Sequence, residues 1–177
     1  YGVSALHSPV VWLVVVGVAA GGIYLTLPRM IRATARPSDA LFAWAFVVGV
    51  LMRLAMLPST PILEDDFHRY LWDGAVVSRG MNPYAHAPYS AYSGNAPPEL
   101  VQLAREAGTV AERINHPQLR TIYPPVAQTA FAFAHWLKPW SLPAWRATLL
   151  GFDLVTLALL AALLRTLHRS PLWAALY

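Results

Sequence analysis

VVWLVVVGVAAGGIYLTL, residues 10–27, carries no charged side chain. A helix needs about 20 apolar residues to cross the hydrocarbon core of a bilayer, so this run reads as a membrane span and decides the fold class. Gly17, Gly21 and Gly22 give it a small-residue face that lets another helix approach closely. Pro28 with Arg29, Arg32 and Arg36 closes it. Pro37 and Asp39 open a second apolar run, 40–57, which Pro58 and Pro61 end. A third run, 144–164, contains Asp153 and stops at Arg165, His168 and Arg169.

Composition points the same way. The chain is 56% hydrophobic and 12% charged, with a mean hydropathy of +0.43, whereas a soluble domain carries about 25% charged residues. The net charge of +4 gives no reason to expect a nucleic-acid partner, and the lack of cysteine excludes disulfides and thiolate chemistry. The expected fold is therefore all-α: a polytopic transmembrane helix bundle with a large extracytoplasmic loop, 58–143, that contains short juxtamembrane helices. The chain begins with Tyr1, and residues 171–177 read as the opening of a further span. The expectation is the N-terminal part of a longer multi-pass protein, treated as one membrane domain over 1–177. No basic segment precedes the first apolar run, so a cleavable signal peptide is not expected.

Within the loop, 83–98 is rich in Pro, Tyr, Ser and Ala and reads as irregular, while 98–112 has helical spacing. Residues 124–137 are apolar but short for a span, which suits an interfacial or re-entrant helix. Charge parity separates the two readings. With Arg29, Arg32 and Arg36 in the cytoplasm, the second span runs outward. If 124–137 only lies at the interface, the third span returns inward and Arg165 and Arg169 are also cytoplasmic. If 124–137 crosses, the chain has four spans and these arginines end up outside, against the rule.

The chemistry concentrates in EDDFHRYLWDG, residues 64–74. Three adjacent carboxylates at the mouth of a span repel one another and lose hydration, which raises their proton affinity as a general base requires. The competing reading is a solvated helix N-terminus, where the helix dipole favours acids. If 66–77 is helical, Asp66, Arg69, Tyr70 and Asp73 share one face. Asp65 and Arg69 are also four apart, so Arg69 is expected to clamp one carboxylate and leave the other to act. Arg53 sits inside the second span about one turn from its outer end, and an intramembrane arginine has a partner by default. Its expected partners are Asp65, Asp66, a lipid phosphate or water. Arg146 is either a phosphate ligand or an interfacial anchor, and Asp153 pairs with Arg146 or with a residue beyond this chain.

His68, His86, His116 and His135 lack metal-ligand spacing, so no metal site is expected and a divalent cofactor has no support. Asn82-Pro83-Tyr84 and Thr121-Ile122-Tyr123-Pro124-Pro125 are rigid aromatic turns. They either wall a sugar site or scaffold the loop.

Taken together, residues 64–74, Gly80-Met81-Asn82-Pro83-Tyr84, Asn115-His116-Pro117 and residues 121–125 resemble the GT-C superfamily of membrane glycosyltransferases. The nearest likeness is to bacterial polyprenol-phosphomannose-dependent mannosyltransferases, over roughly residues 58–130. The resemblance implies an inverting hexosyl transfer, mannose being favoured, from a polyprenyl-phosphate sugar to the hydroxyl of a glycan or lipid acceptor at the outer face of the plasma membrane. It implies Asp65 as the leading base and Asp66 as the second, with Glu64 tuning the pair. Arg53, Arg69 and Arg146 are candidates for the donor phosphate, and His116 and Tyr123 for the lining of the cavity. Many members carry the acidic pair after their first span, whereas here a further apolar run precedes it. Two other readings stay open: a transporter or flippase fragment with a charged outer vestibule, and a membrane scaffold whose loop binds a partner.

Overall fold

A computed structural model describes residues 9–33, 39–59, 61, 65–94 and 96–177. Glu64, Arg36 and Pro37, which the sequence reading used, lie outside the described residues. Among those described, the chain is all-helical, with no strand. Eight α-helices follow in order: α1 (Pro9–Tyr24), α2 (Leu27–Ala33), α3 (Asp39–Met56), α4 (Phe67–Ser78), α5 (Pro98–Ala107), α6 (Thr109–Glu112), α7 (Pro125–Leu137) and α8 (Leu142–Thr166). Short 3₁₀ helices occupy Pro88–Tyr92 and Pro171–Leu176.

Three segments are long and apolar enough to cross a membrane: Pro9–Ala33, Asp39–Met56 and Leu142–Thr166. The first is longer than residues 10–27. Pro28 lies in the first turn of α2, just after Leu27, instead of ending helical structure, because a proline in the first helical turn gives up an N–H that has no intrahelical acceptor anyway. The segment 171–177, read as the opening of a span, is 3₁₀ over Pro171–Leu176.

The chain divides into two compact units, residues 1–56 with 153–177, and residues 57–152. The first holds α1–α3, the later turns of α8 and the second 3₁₀ helix. No residue of α1–α3 is buried, and Val16 and Val18 are among those exposed. Helices apolar all round are made for a lipid or protein interior, not for water. Two ion pairs tie α3 to α8: Arg53 Nε bonds Asp153 Oδ2, and Arg165 lies 4.0 Å from Asp39. The pairs are 14 residues apart on α3 and 12 on α8, or about 18–21 Å at 1.5 Å per residue, in opposite chain order. The two helices therefore run antiparallel. At the Asp39 end, Arg165 also lies over the Phe42 ring, and Arg32 over Trp173.

The second unit is built around α4. From His68 to Val76, α4 is buried except for Tyr70, which is half-buried. One side packs Trp72, Ala75 and Val76 against Leu100, Leu103, Ala104 and Ala107 of α5 and Ala111 of α6. The other side meets α7 so closely that a Cβ on Gly74 would lie 2.3 Å from the carbonyl oxygen of Phe131. The helical spacing over 98–112 resolves into α5 and α6 because Gly108 interrupts it at φ +51°, a conformation that glycine adopts without steric cost.

Candidate functional site

The site grows from the first turns of α4. Asp66 precedes the helix with αR dihedrals and makes no capping hydrogen bond through its side chain. The helix is instead entered through backbone carbonyls: His68 N–H donates to Asp65 O at 3.1 Å, and Arg69 N–H to Asp66 O at 2.8 Å. His68 Nδ1 lies 2.9 Å from the same Asp65 carbonyl. Asp65 is exposed and Asp66 half-buried.

One helical turn on, Arg69 is buried. Its Nε donates to Asp73 Oδ1 at 3.0 Å, not to Asp65 as the four-residue spacing also allowed. Asp73 is 1% exposed, and its other oxygen accepts from Gln128 Nε2 of α7 at 3.0 Å. Gln128 Nε2 also donates to Thr121 Oγ1 at 2.9 Å. Both carboxylate oxygens are thereby satisfied, as burial of a charge requires. Removing one member of such a pair costs about 3–5 kcal/mol, because the remaining charge stays buried alone. Arg69 Nη1 donates to Leu119 O at 3.0 Å, while its Nη2 is buried with no partner among the described residues.

This network fastens Leu119 and Thr121 to α4, and two further hydrogen bonds tie the same segment to residues 84–89. Tyr89 N–H donates to Pro117 O at 2.9 Å, and Tyr84 O–H to Tyr123 O at 2.7 Å. The two rigid aromatic turns of the sequence thus meet. Tyr123, Tyr70, Phe131 and Trp145 form one aromatic cluster, with the Tyr70 and Phe131 rings stacked at 4.9 Å. Burial pushes the Tyr123 phenol up, and so do its hydrogen bond with Tyr70 and the nearby Asp66 charge; Arg69 opposes them. Tyr123 therefore stays a neutral hydrogen-bonding group across physiological pH.

Two clefts result. One, of about 160 Å³, is lined by Asp66, Arg69, Asn115, His116, Arg120 and Tyr123 together with Thr121. The other, of about 570 Å³, is lined by Asp65, His68, Glu112, Arg113 and Asn115. Asn115 belongs to both, and its Nδ2 donates to Asp65 Oδ1. His116, next in the chain, has φ +50°.

Of the residues named from sequence, the first cleft collects Asp66, Arg69, His116 and Tyr123, with Asp65 in the adjoining one. Arg53 and Arg146 are used otherwise. Arg53 pairs with Asp153 within the first unit, where the sequence reading offered Asp65, Asp66, lipid phosphate or water to the one and Arg146 or a residue beyond this chain to the other. Arg146 Nη1 donates to the carbonyls of Leu57 and Ser59, the former at 2.7 Å. It braces the backbone after α3.

Sequence reasoning named Asn115 and Thr121 only as members of short motifs and gave no role to Arg120 or Gln128. Asp73 carried a signal in its place on one helical face with Asp66, Arg69 and Tyr70. Among the described residues no group of three or more His, Asp or Glu side chains is arranged to hold a metal ion. No protein family, curated protein or solved structure gives a significant match to this chain.

Proposed function

We propose that this protein is a membrane glycosyltransferase. It moves a hexose, with mannose favoured by the family resemblance, from a polyprenyl-phosphate sugar to an acceptor hydroxyl at the outer face of the plasma membrane. The observation that carries the reading is the meeting of Asp66, Arg69, His116 and Tyr123 in one cleft, beside Asp65 in the next. A buried guanidinium nitrogen of Arg69, without a partner among the described residues, suits an anionic phosphate.

In this reading Asp65 takes the proton from the acceptor hydroxyl. The acceptor oxygen forms its bond to the anomeric carbon while the bond from that carbon to the phosphate oxygen breaks. The leaving electron pair goes to polyprenyl phosphate, whose growing charge Arg69 and Arg120 stabilise. Attack from the face opposite the leaving group inverts the configuration. Asp66, in the smaller cleft, is the second carboxylate and shares the proton. The carboxylates also favour the oxocarbenium-like centre.

The membrane topology is part of the proposal. The approach of Arg165 to Asp39, with Arg32 and Arg165 both over aromatic rings of the first unit, supports a common cytoplasmic side for these arginines. That arrangement leaves 58–143 extracytoplasmic, with α7 at the interface.

The test is sugar transfer by the full-length protein in proteoliposomes supplied with polyprenyl-phosphate mannose. Asp65→Asn is expected to lower the rate by about 100-fold or more, as loss of a general base does, and Asp66→Asn to lower it less. Wild-type rates in both variants overturn the proposal. A transporter reading draws on one observation, the Arg53–Asp153 pair between two apolar helices. It would be favoured by sugar or ion flux that the neutral pair Arg53→Met with Asp153→Leu abolishes.

A further inference from the structure

The two clefts differ in charge, and the difference has a direction. In the smaller cleft Asp73 already neutralises Arg69, so Arg120 balances the carboxylate of Asp66, and one nitrogen of Arg69 stays without a partner among the described residues. Asp65 and Glu112 set two carboxylates against Arg113 in the larger one. An anion is repelled from the second and not from the first, where Arg120 and the unpaired Arg69 nitrogen offer it donors. A neutral polyol suits the second, where carboxylates accept hydrogen bonds from hydroxyl groups. Asn115 is common to both clefts, and its amide reaches the Asp65 carboxylate. An ionised carboxylate only accepts, so the amide must face it with its NH₂ group. The left-handed backbone at His116 and the bond from Tyr89 N–H to Pro117 O fix the chain immediately after Asn115.

We infer that Asn115 is the positioning residue of a two-sided site: it holds the Asp65 carboxylate on the wall between an anion cleft for the donor phosphate and a polyol cleft for the acceptor. The inference rests on the glycosyltransferase reading and adds to it a division of labour. Asp65 faces the acceptor side, Arg69 and Arg120 the donor side, and Asn115 keeps the base in line with the bond that forms between them. Misplacing a reacting group by about 1 Å can cost about 100-fold in rate.

The experiment uses the full-length protein in proteoliposomes, with polyprenyl-phosphate mannose as donor and methyl α-mannoside as acceptor probe. Asn115→Ala is expected to lower kcat by about 10- to 100-fold and leave the donor KM within about twofold. Asn115→Gln keeps the amide donor and is expected to recover part of that loss. Arg120→Ala is expected to raise the donor KM and Glu112→Gln the acceptor KM, each leaving the other KM unchanged. A wild-type kcat in Asn115→Ala overturns the positioning role, and so does a fall matched by an equal fall in Asn115→Gln. Exchanged effects of Arg120→Ala and Glu112→Gln overturn the division of the clefts. If Asn115→Ala melts below the wild type, Asn115→Gln, which preserves the polar group, decides by its kcat alone. Full activity in Asp65→Asn defeats the base reading itself, whereas an inactive Asp65→Asn beside a fully active Asn115→Ala defeats only this inference.

Discussion

Arg69 carries a full positive charge yet is 7% exposed, and its environment explains how it stays there. Asp73 neutralises it, Gln128 completes Asp73, and Leu119 takes a second guanidinium nitrogen. Spacing alone left two partners for this arginine, Asp65 and Asp73, each four residues away. Only the second lies on the same helical face, because α4 begins at Phe67 and the four-residue rule holds only where both residues are helical. His135 shows the opposite economy. Its Nδ1 is buried without a partner among the described residues, and the ring meets Trp140 edge-on at 5.0 Å. Burial, with help from Arg79 and against Glu106, pushes the imidazole below its usual 6.5. The unfolded chain therefore binds a proton that the folded protein resists. The contribution of His135 to stability is full above about pH 6.5 and falls as the pH drops below it. Denaturant unfolding at pH 5 and pH 7.5 checks this: His135→Phe is expected to lose part of the pH dependence, and an unchanged slope would exclude the burial effect.

At the scale of elements, the contact between α4 and α7 sets the site. Gln128, Phe131 and Ala134 are buried on α7, while Val126, Phe133 and Trp136 on the same helix stay exposed. The sequence shows a short apolar helix but not which of its two apolar faces meets protein. Gly74 decides that in three dimensions, since its missing side chain admits the Phe131 backbone. A methyl group there has no flexible neighbour to push aside. Gly74→Ala is therefore expected to cost about 1–3 kcal/mol, as overpacking does, measured as a lowered Tm by tryptophan fluorescence of the detergent-solubilised protein. A variant as stable as the wild type would show that α7 can draw back freely. Helix ends were less legible than helix centres. Pro28 looks like a stop from its residue type, yet it sits in the first turn of α2, because its effect depends on its position within the turn.

For the whole molecule, the proposed topology makes a direct forecast. The chain has no cysteine, so single cysteines label without background. Tyr89→Cys and His168→Cys are expected to react with an impermeant maleimide from opposite sides of the membrane, and labelling of both from one side would refute the three-span arrangement. The sequence by itself determined the helical class, the three long apolar segments and the short polar stretches that hold the candidate site, because these follow from hydropathy and local spacing, which act along the chain. Tertiary structure alone decided that Arg53 joins Asp153, that Arg146 braces Leu57 and Ser59, and that Asn115 reaches Asp65 from 50 residues away. Those pairings depend on where buried charges and amides find partners of matching geometry. No local pattern encodes that, because the partners are brought together only when the helices pack.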